Sequence, residues 1–138
     1  MFNKIVLALL LTVICIVFYF SWISDPSLSS ETYLPRWLLN WSNHYYNLRT
    51  AVPFLAVGFL LEIYTDHIGS TDVNYNKSLN FIQNIVIAAI IVCVAEGGQF
   101  VIQRRSPDLM DVFYGVLGSL TGALSYNLLK KIKNAKQT

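Results

Sequence analysis

Residues 81–102 read FIQNIVIAAIIVCVAEGGQFVI, and this stretch decides the fold class. A helix over that range is about 33 Å long, enough to cross a hydrocarbon core of ~30 Å. Its apolar residues form a continuous run rather than a stripe at helical or strand period, so the segment reads as a membrane span. Three further runs have the same character, at 5–23, 48–64 and 109–129. The span at 48–64 is the shortest and holds Pro53 and Gly58, both tolerated at membrane depth when neighbouring helices support the backbone. The chain is 54% hydrophobic, and with the apolar residues gathered into these runs the expectation is an all-α membrane protein. It is a single domain over 1–138: a bundle of four transmembrane helices with a short interfacial helix between the first two.

The run at 5–23 follows Lys4, as a signal peptide would, but its apolar core exceeds the ~7–15 residues of such signals. Ile23-Ser24-Asp25-Pro26 offers no small-x-small cleavage pattern, so the run reads as a retained anchor. With four spans both termini share a side. That side collects Lys4, Lys77, Lys130, Lys131, Lys133 and Lys136, and the other collects Arg36, Arg49, Arg104 and Arg105. The lysine-rich C-terminal basic tail at 130–138 favours both termini in the cytoplasm. A net charge of +2 argues against a nucleic-acid partner and leaves membrane lipid as the expected surroundings.

Trp22, Tyr33, Trp37, Trp41, Tyr45 and Tyr46 crowd the segment between the first two spans. Amphiphilic rings of this kind sit at the headgroup level, so the segment reads as an interfacial belt. Pro35 suits the first turn of a short helix running to about Asn47. In the loop 65–80, Gly69, Ser70, Asn74 and Asn76 mark turns, and Glu62 and Asp66 are expected to end the second span in water. His67 has no spaced partner, and Cys15 and Cys93 read as small packing residues inside spans, with no metal or cofactor site in view. No internal repeat, nucleotide-binding glycine loop, zinc pattern or nucleophile elbow is present.

The chemistry concentrates between residues 96 and 122. A carboxylate within a span costs about 2.5–3.5 kcal/mol on insertion scales, so Glu96 is a functional candidate by default. Glu96, Gln99 and Gln103 recur at i, i+3, i+7 and share one helical face. Glu96 then lies about 10 Å below the helix mouth, where a carboxylate must be protonated or paired. In the turn that follows, Arg104 and Arg105 are interfacial anchors or ligand contacts, Ser106 is placed as a cap, Pro107 in the first turn and Asp108 just behind it. Asp111 is one turn deeper, on the stripe of Gly115, Gly118 and Gly122, which reads as a surface for close helix packing. If the third span is that neighbour, Glu96 and Gln99 face Asp111, and Arg49 is the best counter-ion from elsewhere.

Glu96-x-x-Gln99, then Asp108-x-x-Asp111-Val112, then Gly118 and Gly122, resembles the VanZ-like family of small membrane proteins, named for a teicoplanin-resistance protein. Pro53-Phe54 through Gly58-Phe59-Leu60-Leu61 looks similar as well, with a shifted register, and together these stretches cover about a third of the chain. The chain has Gly115 where the family usually has asparagine, and Arg49-Thr50 where an aspartate–asparagine pair usually opens the second span. The resemblance implies a multi-pass protein of the bacterial cytoplasmic membrane with a role at the cell envelope and in susceptibility to lipoglycopeptides.

Three functions stay open on the residues. The first is recognition of a lipid-linked cell-wall or polysaccharide intermediate, with Arg49, Arg104 and Arg105 on phosphate and Glu96 and Gln99 orienting the pocket. The second is an enzyme acting at a phosphate or glycosyl bond, with Asp108 and Asp111 on a divalent cation and Glu96 as general base. In the third, a structural bundle, Glu96 pairs with Arg49 and nothing binds.

Overall fold

The computed structural model describes residues 2–25, 27–28, 30–69, 75–103 and 106–136. Its helices are α1 (Phe2–Ser21), α2 (Arg36–His44), α3 (Tyr46–Gly69), α4 (Lys77–Gly98) and α5 (Leu109–Ala135), with one 3-10 turn at Gln99–Val101 after α4. Four of these elements are long and apolar enough to cross a membrane. The chain is an all-α, multi-pass membrane protein built as a four-helix bundle, with α2 as the short helix between the first two spans.

Several ends differ from the sequence reading, for local reasons. Pro35 precedes α2 as its extended N-cap (φ −61°, ψ 139°) rather than sitting in its first turn. The helix stops at His44, because Tyr45 leaves helical geometry (φ −109°, ψ 61°) and turns the chain into α3. α4 begins at Lys77, earlier than expected, because Asn76 caps it by accepting from the N–H groups of Ser78 and Leu79. The basic tail is not a separate segment: α5 runs on to Ala135, since nothing between Leu128 and Ala135 breaks a helix and Lys133 in the last turn suits its dipole.

Glycines set the closest contact in the bundle. A Cβ on Gly118 would lie 2.1 Å from the Ala51 carbonyl oxygen, one on Gly122 2.0 Å from that of Leu55, and one on Gly58 2.0 Å from that of Ser119. The backbones of α3 and α5 therefore touch, as small-residue interfaces in membranes allow. The neighbour of the glycine stripe is thus α3, the second span, and only Gly115 meets the third span, through the Val92 side chain. Periodicity marks a small face but carries no information about which helix will cover it.

Phe54, Val57 and Leu61 of α3 form the centre of the core, with Leu10 and Val17 of α1 and Ala88, Val92 and Ala95 of α4 packed on them. Only 17–28% of each span's apolar window is buried within the chain, so most of the apolar surface points outwards, where lipid covers it. Cys15 and Cys93 belong to that exposed surface and do not pack in the core as expected.

Candidate functional site

The end of the bundle where α4 hands on to α5 gathers most of the polar residues singled out above. Glu96 and Gln99 are 6% and 4% exposed, and Asp111 is 5% exposed. Glu96 Oε1 accepts from Gln99 Nε2 at 3.2 Å, and its Oε2 accepts from the Asp108 backbone N–H at 3.3 Å. Gln99 Nε2 also donates to Ser21 Oγ at 2.9 Å, while Ser21 Oγ and Trp22 Nε1 both donate to the Ala95 carbonyl, at 3.2 and 3.1 Å. This network ties the end of α1 to the end of α4. It exists because α4 tightens into a 3-10 turn at Gln99, which turns that amide inwards but ends the helix short of Gln103. Gln103 is exposed and is not on a shared helical face with Glu96.

Asp111 comes from α5 and reaches α3, where its Oδ1 accepts from Thr50 Oγ1 at 2.8 Å. Asp108 is itself the N-cap of α5, in place of Ser106, and its Oδ1 accepts from the Met110 N–H at 2.9 Å. The Asp108 carboxylate is therefore exposed and engaged with its own helix end, and only its backbone joins the buried network. Arg49 is half-buried, with its guanidinium carbon 4.5 Å from the centre of the Tyr46 ring. Arg104 and Arg105 lie outside the described residues.

Between these groups is a cavity of about 230 Å³. Arg49, Thr50, Glu96, Gln99 and Asp111 line its polar side, and Val17, Phe20, Pro53 and Phe54 make apolar walls. The α1–α3 segment closes it with Leu28, Leu34, Leu38, Leu39, Trp41 and Ser42. The segment expected as an interfacial belt also shapes the cavity: Trp37 is 71% exposed, but Trp41 contributes to the cavity wall. Ser42 is 4% exposed, and its hydroxyl is buried with no hydrogen-bond partner. Sequence reasoning missed this roof. Its signal was present in Leu34, Leu38, Trp41 and Ser42, which recur at helical spacing around α2.

A second polar cluster occupies the opposite end of α3, and here the structure corrects the expectation that Glu62 and Asp66 end the span in water. Glu62 is 1% exposed and Asp66 is 7% exposed. Asp66 pairs with Lys130 Nζ, and its Oδ2 also accepts from the Tyr126 hydroxyl at 2.8 Å. Burial and the neighbouring Asp66 carboxylate push the Tyr75 hydroxyl above its ordinary range. Glu62 Oε1 accepts from Asn84 Nδ2 at 3.1 Å, and Asn84 Nδ2 also donates to Thr65 Oγ1 at 2.8 Å. These partners stand on different helices, so burial follows from the way α3, α4 and α5 assemble. His67 is exposed, as expected, with its ring 5.0 Å from that of Phe2.

Among the described residues no three His, Cys, Asp or Glu side chains converge as a metal-binding group. The chain matches no protein-family model, no curated protein and no solved structure.

Proposed function

We propose that this is a VanZ-like protein of the bacterial cytoplasmic membrane, with both termini cytoplasmic, whose cavity opens towards the cell envelope. There it binds a lipid-linked cell-wall or polysaccharide intermediate and thereby alters susceptibility to glycopeptides such as teicoplanin. The observation that carries the reading is the division of the cavity into apolar walls and one polar side, with the buried, unpartnered Ser42 hydroxyl at its roof. An amphiphile matches that division: hydrocarbon against Phe20, Leu38 and Pro53, and a polar head towards Arg49, Glu96, Gln99 and Asp111. At about 230 Å³ the cavity is smaller than the ~300–1,000 Å³ of pockets that enclose a whole small ligand. A long-chain lipid would leave most of its length in the bilayer and insert only the stretch next to its head.

Recognition is favoured over catalysis by Asp108. The metal-dependent alternative needs Asp108 and Asp111 on one ion, but the Asp108 carboxylate caps α5 while Asp111 bonds Thr50 across the helix pair.

The experiment is photocrosslinking from a photoreactive residue at position 38 or 41 in native membranes, read by lipid mass spectrometry. Capture of a polyisoprenyl-phosphate-linked saccharide supports the reading. Capture of bulk phospholipid alone overturns it.

A further inference from the structure

We propose that Glu62, Asn84 and Asn127 form a binding site for a dehydrated monovalent alkali cation, at the end of the bundle away from the cavity. The site lies about 18 Å along α3 from Thr50, counted by helical rise, and includes none of the residues that line the cavity.

The argument starts from charge. Glu62 is among the most completely buried side chains of the chain, and a carboxylate at membrane depth needs a compensating partner. Both of its oxygens meet neutral amides: Asn84 Nδ2 at 3.1 Å from α4 and Asn127 Nδ2 at 3.5 Å from α5. The nearby ammonium of Lys130 is taken by Asp66. An ionised Glu62 has no ammonium of its own in this cluster, since Lys130 is engaged by Asp66, the carboxylate on which Lys77 also acts.

The second observation is independent of charge. Asn84 is 1% exposed, and its Oδ1 is buried with no hydrogen-bond partner; Asn127 Oδ1 is in the same condition. Both amides spend their N–H groups on oxygen acceptors, Asn84 on Glu62 and Thr65, and Asn127 on Glu62 and the Ala123 carbonyl. What the cluster has in surplus is acceptor oxygens. A bridging water would supply hydrogens to two of them and leave the charge where it is. A cation satisfies the amide oxygens and the carboxylate together.

The donor set fixes the class of cation. All the donors are hard oxygens, which excludes thiolate- and imidazole-seeking metals. One carboxylate with neutral amides matches a single positive charge, whereas divalent ions of this kind take more carboxylates or keep much of their water. Thr65 Oγ1 and the Ala123 carbonyl hold the two amides in place, as outer partners commonly hold metal ligands.

The test uses the full chain purified in nanodiscs and heated in sodium, potassium or choline chloride at equal ionic strength. A ligand that binds only the folded state raises the unfolding midpoint with its concentration, so sodium or potassium should raise it by several degrees over choline. Glu62→Gln, nearly isosteric and neutral, should abolish the difference between salts. Saturable binding of radioactive sodium or rubidium to the unaltered protein gives a readout that does not depend on any variant folding. Identical midpoints in all three salts with no saturable isotope binding overturn the proposal. So does a Glu62→Gln protein that keeps the full salt response. Neither measurement touches the cavity, so failure here and failure of the lipid-binding reading are separate results.

Discussion

Glu96 of α4 accepts the backbone N–H of Asp108 through Oε2 at 3.3 Å, so a buried carboxylate reaches across the α4–α5 turn to the residue that caps α5. The same carboxylate accepts from Gln99 through its other oxygen. One side chain thus sets the spacing of two spans and holds the amide that ties α4 to Ser21 of α1.

Removing that carboxylate should loosen the turn. Glu96→Ala leaves the Asp108 N–H and the Gln99 amide without their acceptor, and loss of a partner by a buried polar group costs about 1–3 kcal/mol. Glu96→Gln retains one carbonyl oxygen and should lose less than Glu96→Ala. Equilibrium unfolding of purified protein in mixed micelles orders the variants. Equal stability of Glu96→Ala and the parent would remove Glu96 from the structural role argued here.

Thr50 and Asp111 join α3 to α5 through a 2.8 Å hydrogen bond. A double-mutant cycle with Thr50→Val and Asp111→Ala should return a coupling of about 0.6 kcal/mol, the average for interhelical hydrogen bonds in a membrane protein, and no more than about 1.7 kcal/mol. Thr50→Ser keeps the hydroxyl and should preserve most of the coupling. Additive single effects would mean that the bond contributes nothing to stability.

Two glycines separate packing from propensity. A Cβ on Gly118 would sit 2.1 Å from the Ala51 carbonyl oxygen, a distance only backbone movement relieves, whereas one on Gly97 meets nothing within 4 Å. Gly118→Ala should destabilise the α3–α5 pair by about 1–3 kcal/mol, the usual cost of overpacking. Gly97→Ala should be neutral or stabilise by up to about 1 kcal/mol, through helix propensity alone. Thermal unfolding of both variants checks the contrast, and similar losses at the two positions would contradict it.

The spans were legible in the sequence because runs such as 81–102 allow no other element. Their ends were less so, since a helix continues past the apolar run wherever its residues and caps permit, as Asn76 and the lysines after Leu129 do. Glu96, Gln99 and Asp111 stood out as polar residues at membrane depth, and the structure does bury all three in one region. Spacing along a chain shows which residues share a face but not which helix covers it, so the pairing of Asp111 with Thr50 could not be read. Glu62 was obscured for a different reason: beside Asp66 and His67 it looks like a span end, and its partner Asn84 stands on another helix next to Gln83, with no spacing that ties it to Glu62. The cavity roof was hidden by its own tryptophans, whose preference for the interface drew attention away from Leu28, Leu34 and Leu38.

Asp108 offers a test of capping without effect on the cavity. Its Oδ1 accepts from the Met110 N–H at 2.9 Å, and the residue is exposed. Asp108→Ala should cost about 1 kcal/mol of stability, and Asp108→Ser or Asp108→Asn should recover most of it, since those residues cap comparably. If lipid capture from position 38 falls with Asp108→Ala while stability holds, the residue has a role beyond capping.

Leu38 of α2 lines the cavity together with Phe54 of α3. Leu38→Trp adds an aromatic ring at a position whose surroundings already include apolar space, so the substituted side chain should fill part of the about 230 Å³ instead of displacing the core. Helix α2 lies outside the four spans, and its packing contributes little to the centre formed by Phe54, Val57 and Leu61. The expected result is therefore a protein with an unfolding midpoint close to the parent's and a strong reduction in lipid captured at position 41. Leu38→Ala enlarges the same space and should leave capture in place or raise it. Ser42→Ala removes the unpartnered hydroxyl, which should leave stability unchanged or slightly improved and weaken capture only of lipids whose polar head reaches the roof. Comparing the lipids captured by the three variants separates an apolar chain filling the cavity from a polar head seated against Ser42. Unchanged capture by Leu38→Trp would show that lipid contacts position 41 from outside the cavity.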